Sequence, residues 1–356
     1  MQFVIPLFHS YLNAQSSAPL WIEAITYTQR IWMCAFLMSL SLLTVGFGES
    51  TGIKLVGVGL GSLGSALGEA SFLGFSSFFS SADILTAWSS GTGLAGVFGY
   101  AWVFIFHVSL DMSMTATLVS ANVLSVIWVV VYYSCFKGKQ RQAYEEIVVN
   151  SELQETLSDE DEDVQVVATK SMSRRLCLVF ELWRYTGPLF LVYMSEYAMQ
   201  SGAWAAMGFP VTDKDARDKF YFMANWSYQG GVFLSRSSGS LFRMSHAGLW
   251  LLPVVQLAML FFFVVNAVYH VWWNNTIVPL TFFAGLIGGL VYVHGFILLS
   301  KSIEDQKKRE VALSTASVAD TAGIMCANLI GIAIQGCLYR ANNISDGETP
   351  LFTCNY

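Results

Sequence analysis

Nine long apolar runs dominate this sequence, and they constrain its fold more than any other feature. They extend from about Ile31 to Gly48, Leu55 to Phe79, Gly91 to Ser109, Thr115 to Phe136, Leu182 to Phe209, Phe220 to Leu234, Gly248 to Tyr269, Ile277 to Leu299 and Val311 to Leu338. A hydrocarbon layer about 30 Å thick needs ~20 apolar residues per helix, and most of these runs are close to that length. Only 12% of the 356 residues are charged, against roughly 25% in a soluble domain, which excludes an ordinary hydrated surface. Backbone polar groups in lipid must be satisfied within the chain, and the runs lack the alternating ten-residue pattern of barrel strands. The sequence therefore predicts an all-α, polytopic membrane helical bundle of about nine spans.

Lysine and arginine accumulate on the cytosolic side of membrane helices. Assigning the loops alternately puts fourteen basic residues on one side, among them Arg30, Lys137, Arg184, Arg236 and Lys301, and five on the other, Lys54, Lys214, Arg217, Lys219 and Arg340. The first side is expected to be cytosolic. Two N-x-[ST] sequons, at Asn274 and Asn343, then fall on the lumenal side, where glycosylation occurs, whereas Asn225 lies within a span and is expected to stay unmodified.

Lys137 to Cys177 is the one long hydrophilic stretch, and its middle, Glu145 to Asp163, is strongly acidic. Such a segment cannot bury enough apolar area to order itself. The expected organisation is a remnant of a truncated helix and cytosolic loop (1–30), a four-span N-terminal bundle (31–136), an acidic cytosolic linker (137–178), a five-span C-terminal bundle (179–338) and a lumenal tail (339–356). Within the linker, Tyr144 and Ile147 have the Y-x-x-Φ spacing that coat adaptors read, so adaptors are candidate partners. Six scattered cysteines with no C-x-x-C pair predict core or loop thiols, with neither a disulfide framework nor a metal site. No cofactor and no nucleic-acid partner is expected; the bilayer itself is the surrounding partner.

An ionisable side chain at the bilayer centre costs about 3 kcal/mol or more, so each one faces a cavity or a partner. Tyr193, Glu196, Tyr197 and Gln200 share one helix face at spacings of three, four and seven. Asn225, Gln229 and Arg236 form a second stripe, and Ser317, Asp320, Thr321, Asn328 and Gln335 a third. Glu196 and Arg236 are candidates to pair. Glu69 sits in a run of glycines, Gly57, Gly61, Gly64 and Gly68, that would let a neighbouring backbone approach closely. His294, beside Tyr292, adds a group that titrates near neutral pH. The functional reading is a cavity that binds a polar solute, with protons; the plainer one is interhelical hydrogen bonding that holds the bundle together. No paired catalytic motif such as H-E-x-x-H is present, and an enzyme is not expected.

Gly64-x-x-x-Gly68-Glu69-x-x-Phe72-Leu73 and Trp88-Ser89-Ser90-Gly91-Thr92-Gly93-x-Ala95-Gly96 resemble the battenin family of lysosomal and vacuolar membrane proteins. Tyr193-x-x-Glu196-Tyr197-x-x-Gln200-Ser201-Gly202, Tyr228-Gln229-x-Gly231 through Ser235-Arg236-Ser237-Ser238, Gly285-x-x-Gly288-Gly289-x-x-Tyr292 and Ser317-x-x-Asp320-Thr321 continue the resemblance in order. It implies a major-facilitator-like bundle, distantly similar to equilibrative nucleoside transporters, in lysosomal or vacuolar membranes. It further implies roles in pH homeostasis and in export of glycerophosphodiesters or basic amino acids by alternating access; the alternative is a non-transporting organiser acting through the acidic linker. Residue by residue, Glu196, Arg236 and Asp320 match the family's intramembrane charges, and Ser89 to Gly93 its loop between spans. Against the family pattern the chain begins inside the second helix, so N-terminal truncation is expected. Cys354 is followed only by Asn355 and Tyr356, so no prenylation box is expected.

Overall fold

The computed structural model describes residues 25–78, 82–138, 181–344 and 354. Among them a helix stands at each of the nine apolar runs: α1 Tyr27–Phe47, α2 Thr51–Ser76, α3 Ala82–Ser109, α4 Met114–Phe136, α5 Trp183–Ala198, α6 Lys214–Arg236, α7 His246–Tyr269, α8 Val278–Ser302 and α9 Gln306–Ala341. Residues 1–24, nearly all of the acidic linker with Tyr144 and Ile147, and most of the tail lie outside the described residues. Side-chain caps fix the starts. Thr26 and Gln29 form a reciprocal capping box at α1, and Ser50, Ser113, Asp213 and Ser245 each accept a backbone N–H at the heads of α2, α4, α6 and α7.

Seven of these helices are long and apolar enough to cross a bilayer; α5 and α6 are the exceptions. The reason differs for each. α5 is 16 residues long because its hydrogen bonding changes to a π pattern over Met199–Ala203, then to a 3-10 turn over Trp204–Ala206. α6 carries Lys214, Asp215, Arg217, Asp218 and Lys219 in its first two turns.

The helices fall into two compact units. In the first, made of α1, α2, α4 and the first turns of α9, the glycine stripe of α2 lies on α1. A Cβ at Gly57 would meet Val45 and Thr44, at Gly61 Ser41, and at Gly64 Leu37. One number rises as the other falls, so the two helices run antiparallel at close approach, as the small-residue spacing predicts. α4 is tied to α1 by Thr115, whose hydroxyl donates to the Gly46 carbonyl at 2.7 Å. The start of α9 is held by Tyr27, which donates to Glu310 at 2.7 Å, and by Arg309, which donates to the Ser77 carbonyl at 2.8 Å.

The second unit contains most of α3, α5 to α8 and the rest of α9. Its core gathers Met199, Trp204, Met207, Phe220, Phe263, Ile277 and Leu338, all essentially buried. α6 and α8 form its most intimate pair. Gly231 lies against the Phe282 carbonyl and Gly285 against the Tyr228 carbonyl, positions at which any Cβ would overlap backbone.

Three features differ from the sequence reading. The chain does not divide at the acidic linker alone: Ser81–Ile105 groups with the C-terminal helices and Gln306–Thr315 with the N-terminal ones. Gly93 and Gly96 are the cause, since they bring α3 onto Phe233 and Gln229 of α6. Ser89 to Gly93, expected as a loop, are helical within α3 for the same reason: the glycines are there for packing. Cys337 and Cys354, expected as thiols, form a disulfide across 17 residues, which spacing rules did not reveal because the pair matches no short motif.

Candidate functional site

The polar stripe of α5 meets α6 and α8 inside the second unit. Glu196 is 2% exposed. The Tyr228 phenol of α6 hydrogen-bonds its carboxylate. The carboxylate's Oε2 has no hydrogen-bond partner among the described residues and faces Gly288 of α8, where a Cβ would overlap it. Glycine at 288 therefore makes the room in which that oxygen sits.

Arg236, the last residue of α6, fills the neighbouring space. Its two terminal nitrogens donate to the Thr92 hydroxyl of α3 and the Tyr193 hydroxyl of α5, both at 2.6 Å. Its guanidinium carbon lies 3.9 Å from the centre of the Tyr292 ring of α8, a cation–π contact. The Thr92 hydroxyl itself donates a hydrogen bond to the Ser89 carbonyl at 2.9 Å, which leaves its oxygen lone pairs for the arginine. Tyr193 stacks on Tyr197 with centroids 6.0 Å apart and planes 12° from parallel. It stands within electrostatic reach of Arg236, Asp320, Tyr292 and Glu196, so four helices of one unit converge on one tyrosine. Asp320 is 3% exposed and accepts the Thr321 backbone N–H at 2.7 Å.

Of the residues singled out from the sequence, Tyr193, Glu196, Arg236, Tyr292 and Asp320 thus come together. Glu196 and Arg236, offered as a pair, are coupled electrostatically while each keeps its own hydrogen-bond partners. Gln229 lies over Gly96 of α3, and Gln200 follows Glu196 one turn along α5. His294 is 1% exposed, but its ring packs on Phe242 at 4.7 Å. Glu69 belongs to the first unit, half-buried on α2. Sequence reasoning missed Tyr228 and Gly288 as parts of the site. Both stand in motifs that carry the family resemblance, but their role in the site is set by what lies opposite, which those motifs do not state.

Asn274 and Asn343 are both exposed, and Asn274 accepts the Thr276 backbone N–H at 2.9 Å. His270, which ends α7 in a left-handed conformation, contacts Asn342 at 2.8 Å, so the two sequons lie at one end of the second unit. Glycosylation at both sites predicts two stepwise mobility shifts on endoglycosidase-sensitive bands, one lost in Asn274→Gln and one in Asn343→Gln. Unchanged mobility in both would place this end on the cytosolic side.

Seven helices long and apolar enough to cross a bilayer make this a multi-pass membrane protein, and its fold is similar to that of a major facilitator transporter. The solved structure of FucP, a Major Facilitator Superfamily transporter in its outward conformation, superposes with a TM-score of 0.51 at 16% identity, covering 96% of this chain and 90% of FucP. The chain belongs to the CLN3 protein family, whose pattern it matches over residues 4–341. Its relatives include Protein BTN1 of Yarrowia lipolytica, 30% identical with 92% of this chain and 84% of the relative covered. Protein btn1 of Schizosaccharomyces pombe is 30% identical over 93% and 84%. Battenin of Canis lupus familiaris is 29% identical over 89% and 72%.

Proposed function

We propose that this protein is a transporter of the lysosomal or vacuolar membrane that exports a small anionic polar metabolite, a glycerophosphodiester, by alternating access, and so contributes to pH homeostasis of that organelle. One observation carries the choice of solute. Glu196 and Asp320 are 2% and 3% exposed, whereas Arg236 is only partly buried, so the group open to a solute is the cation. A phosphodiester brings one negative charge and several hydroxyls, which suit a planar guanidinium already held by two hydroxyl oxygens and a ring face. A basic amino acid would need the acids instead.

The reading is tested by efflux of labelled glycerophosphodiester from lysosomes that lack the endogenous relative, after expression of this protein. The expected outcome is rescue by the wild type and at least tenfold slower efflux in Glu196→Gln and Arg236→Ala forms that localise normally. A charge-assisted hydrogen bond contributes about 1.5–3 kcal/mol, and each ~1.4 kcal/mol is tenfold. Full rescue by both variants, or none by the wild type, would end the assignment.

A further inference from the structure

Arg236 is the last residue of α6, and the chain continues from it as a 3-10 segment, Ser237–Ser240. Within the second unit α3 lies along both. The buried residues of its α-helical part, Leu85, Thr86, Ser89 and Gly93, recur every three or four positions, so a single stripe of the helix carries the contact. At the end that the charge distribution makes cytosolic, this stripe is polar. The exposed Ser240 hydroxyl donates to Asp83 at 2.7 Å, the Ser90 and Ser237 hydroxyls bond each other at 2.8 Å, and Arg236 donates to Thr92. Gly239 is wedged among them: a Cβ there would overlap the Thr86 hydroxyl and crowd Val293 and Ile297 of α8. Farther along α3 the seam turns aromatic, with Tyr100 packed on Phe222 and Trp226 of α6 at 6.0 and 5.7 Å.

The two ends of the seam differ in how readily they part. A hydrogen bond between hydroxyls contributes about 0.5–1.5 kcal/mol net, because water can replace either partner. Asp83 and Ser240 already face outward. The aromatic end has no such substitute, since water does not replace ring contacts. α6 and α8, by contrast, meet at Gly231 and Gly285 with backbone against side-chain-free backbone, and cannot slide without collision. A boundary closed chiefly by replaceable hydroxyl bonds therefore runs directly beside Arg236, on the cytosolic side of it.

We propose that this seam is the cytosolic gate of the solute site: α3 swings off the 3-10 segment, turning about Tyr100, and gives an anion on Arg236 its exit to the cytosol. In the closed form Thr92 and Tyr193 hold the guanidinium from two helices. Opening takes Thr92 away and admits water, while Tyr193 and Tyr292 keep the arginine in place from α5 and α8. The attraction between two charges scales inversely with the dielectric constant, which rises from an effective ~20 near a protein surface to about 80 in water, so a flooded Arg236 releases its anion. The inference rests on the transport reading for its purpose and specifies the contacts that export has to break.

The test is a cross-link across the seam. In the full chain carrying both Ser90→Cys and Ser237→Cys, whose native hydroxyls lie 2.8 Å apart, copper phenanthroline should join the two sulfurs. Efflux of labelled glycerophosphodiester should then fall at least tenfold and recover when a reductant splits the bridge, with each single variant unaffected by the same cycle. Efflux that continues with the bridge complete, or a bridge that does not form, overturns the gate. A second measurement needs no transport. Spin labels at Ile84→Cys and Leu241→Cys, both exposed positions at the cytosolic end, should show two distance populations in the reconstituted chain once the remaining free thiols are replaced. One population only, with and without the solute, overturns the gate. Two populations in protein that moves no glycerophosphodiester would retain the gate and refute the solute reading.

Discussion

Gly285→Val should collapse the second unit, with the time for half the detergent-solubilised protein to lose its monodisperse peak at fixed temperature falling at least tenfold. The added Cβ would overlap the Tyr228 carbonyl oxygen and come within 3.0 Å of the Val232 nitrogen, both backbone atoms of α6 that no rotamer change can move. Overpacking a core typically costs about 1–3 kcal/mol, and a backbone collision belongs at the top of that range because two whole helices must part. Separation of α6 from α8 also carries Tyr228 away from Glu196, so surviving protein should have lost the hydrogen bond on which the site depends. Gly99→Val is the control: nothing lies within 4 Å of a Cβ there, and its time course should match the wild type. Equal behaviour of the two variants would show that the α6–α8 contact is looser than its geometry states.

Arg236→Lys should reduce solute efflux by about tenfold or more although the charge is kept. The guanidinium donates from two separate nitrogens to Thr92 and Tyr193 while its carbon stands 3.9 Å from the centre of the Tyr292 ring, three contacts made at once. A lysine ammonium reaches one hydroxyl at a time. Losing one charge-assisted hydrogen bond removes about 1.5–3 kcal/mol, which is roughly 10- to 100-fold in affinity. The measurement is the solute concentration giving half-maximal efflux, at matched surface expression. If Arg236→Lys behaves as wild type while Arg236→Ala does not, the arginine acts only as a point charge and the hydroxyl cage is scenery.

Much of this was legible without a structure. The α5 stripe was read from spacing, since residues three, four and seven apart share a face whatever the surroundings. The close approach of α1 and α2 was legible in Gly57, Gly61 and Gly64 for the same reason. Thr92 and Gly93 were misplaced in a loop because Ser-Ser-Gly-Thr-Gly has turn-like composition in water; inside a bundle those glycines are what lets α3 lie on Phe233. The Cys337–Cys354 link went unseen because local spacing carries no sign of it.

The amino-acid sequence by itself determined the helices and their membrane environment, because lipid offers backbone groups no partner except the chain's own. It also determined which side chains share a helix face, since that follows from helical pitch. Only the tertiary structure decided that α3 joins the C-terminal helices, that Arg236 rests on Thr92 and Tyr193, and that Glu196 is held by Tyr228 opposite Gly288. Those partners are 144 and 43 residues from Arg236 in the chain. What brings them together is the fit of glycine-lined helix faces, a property of surfaces in contact that no single helix carries.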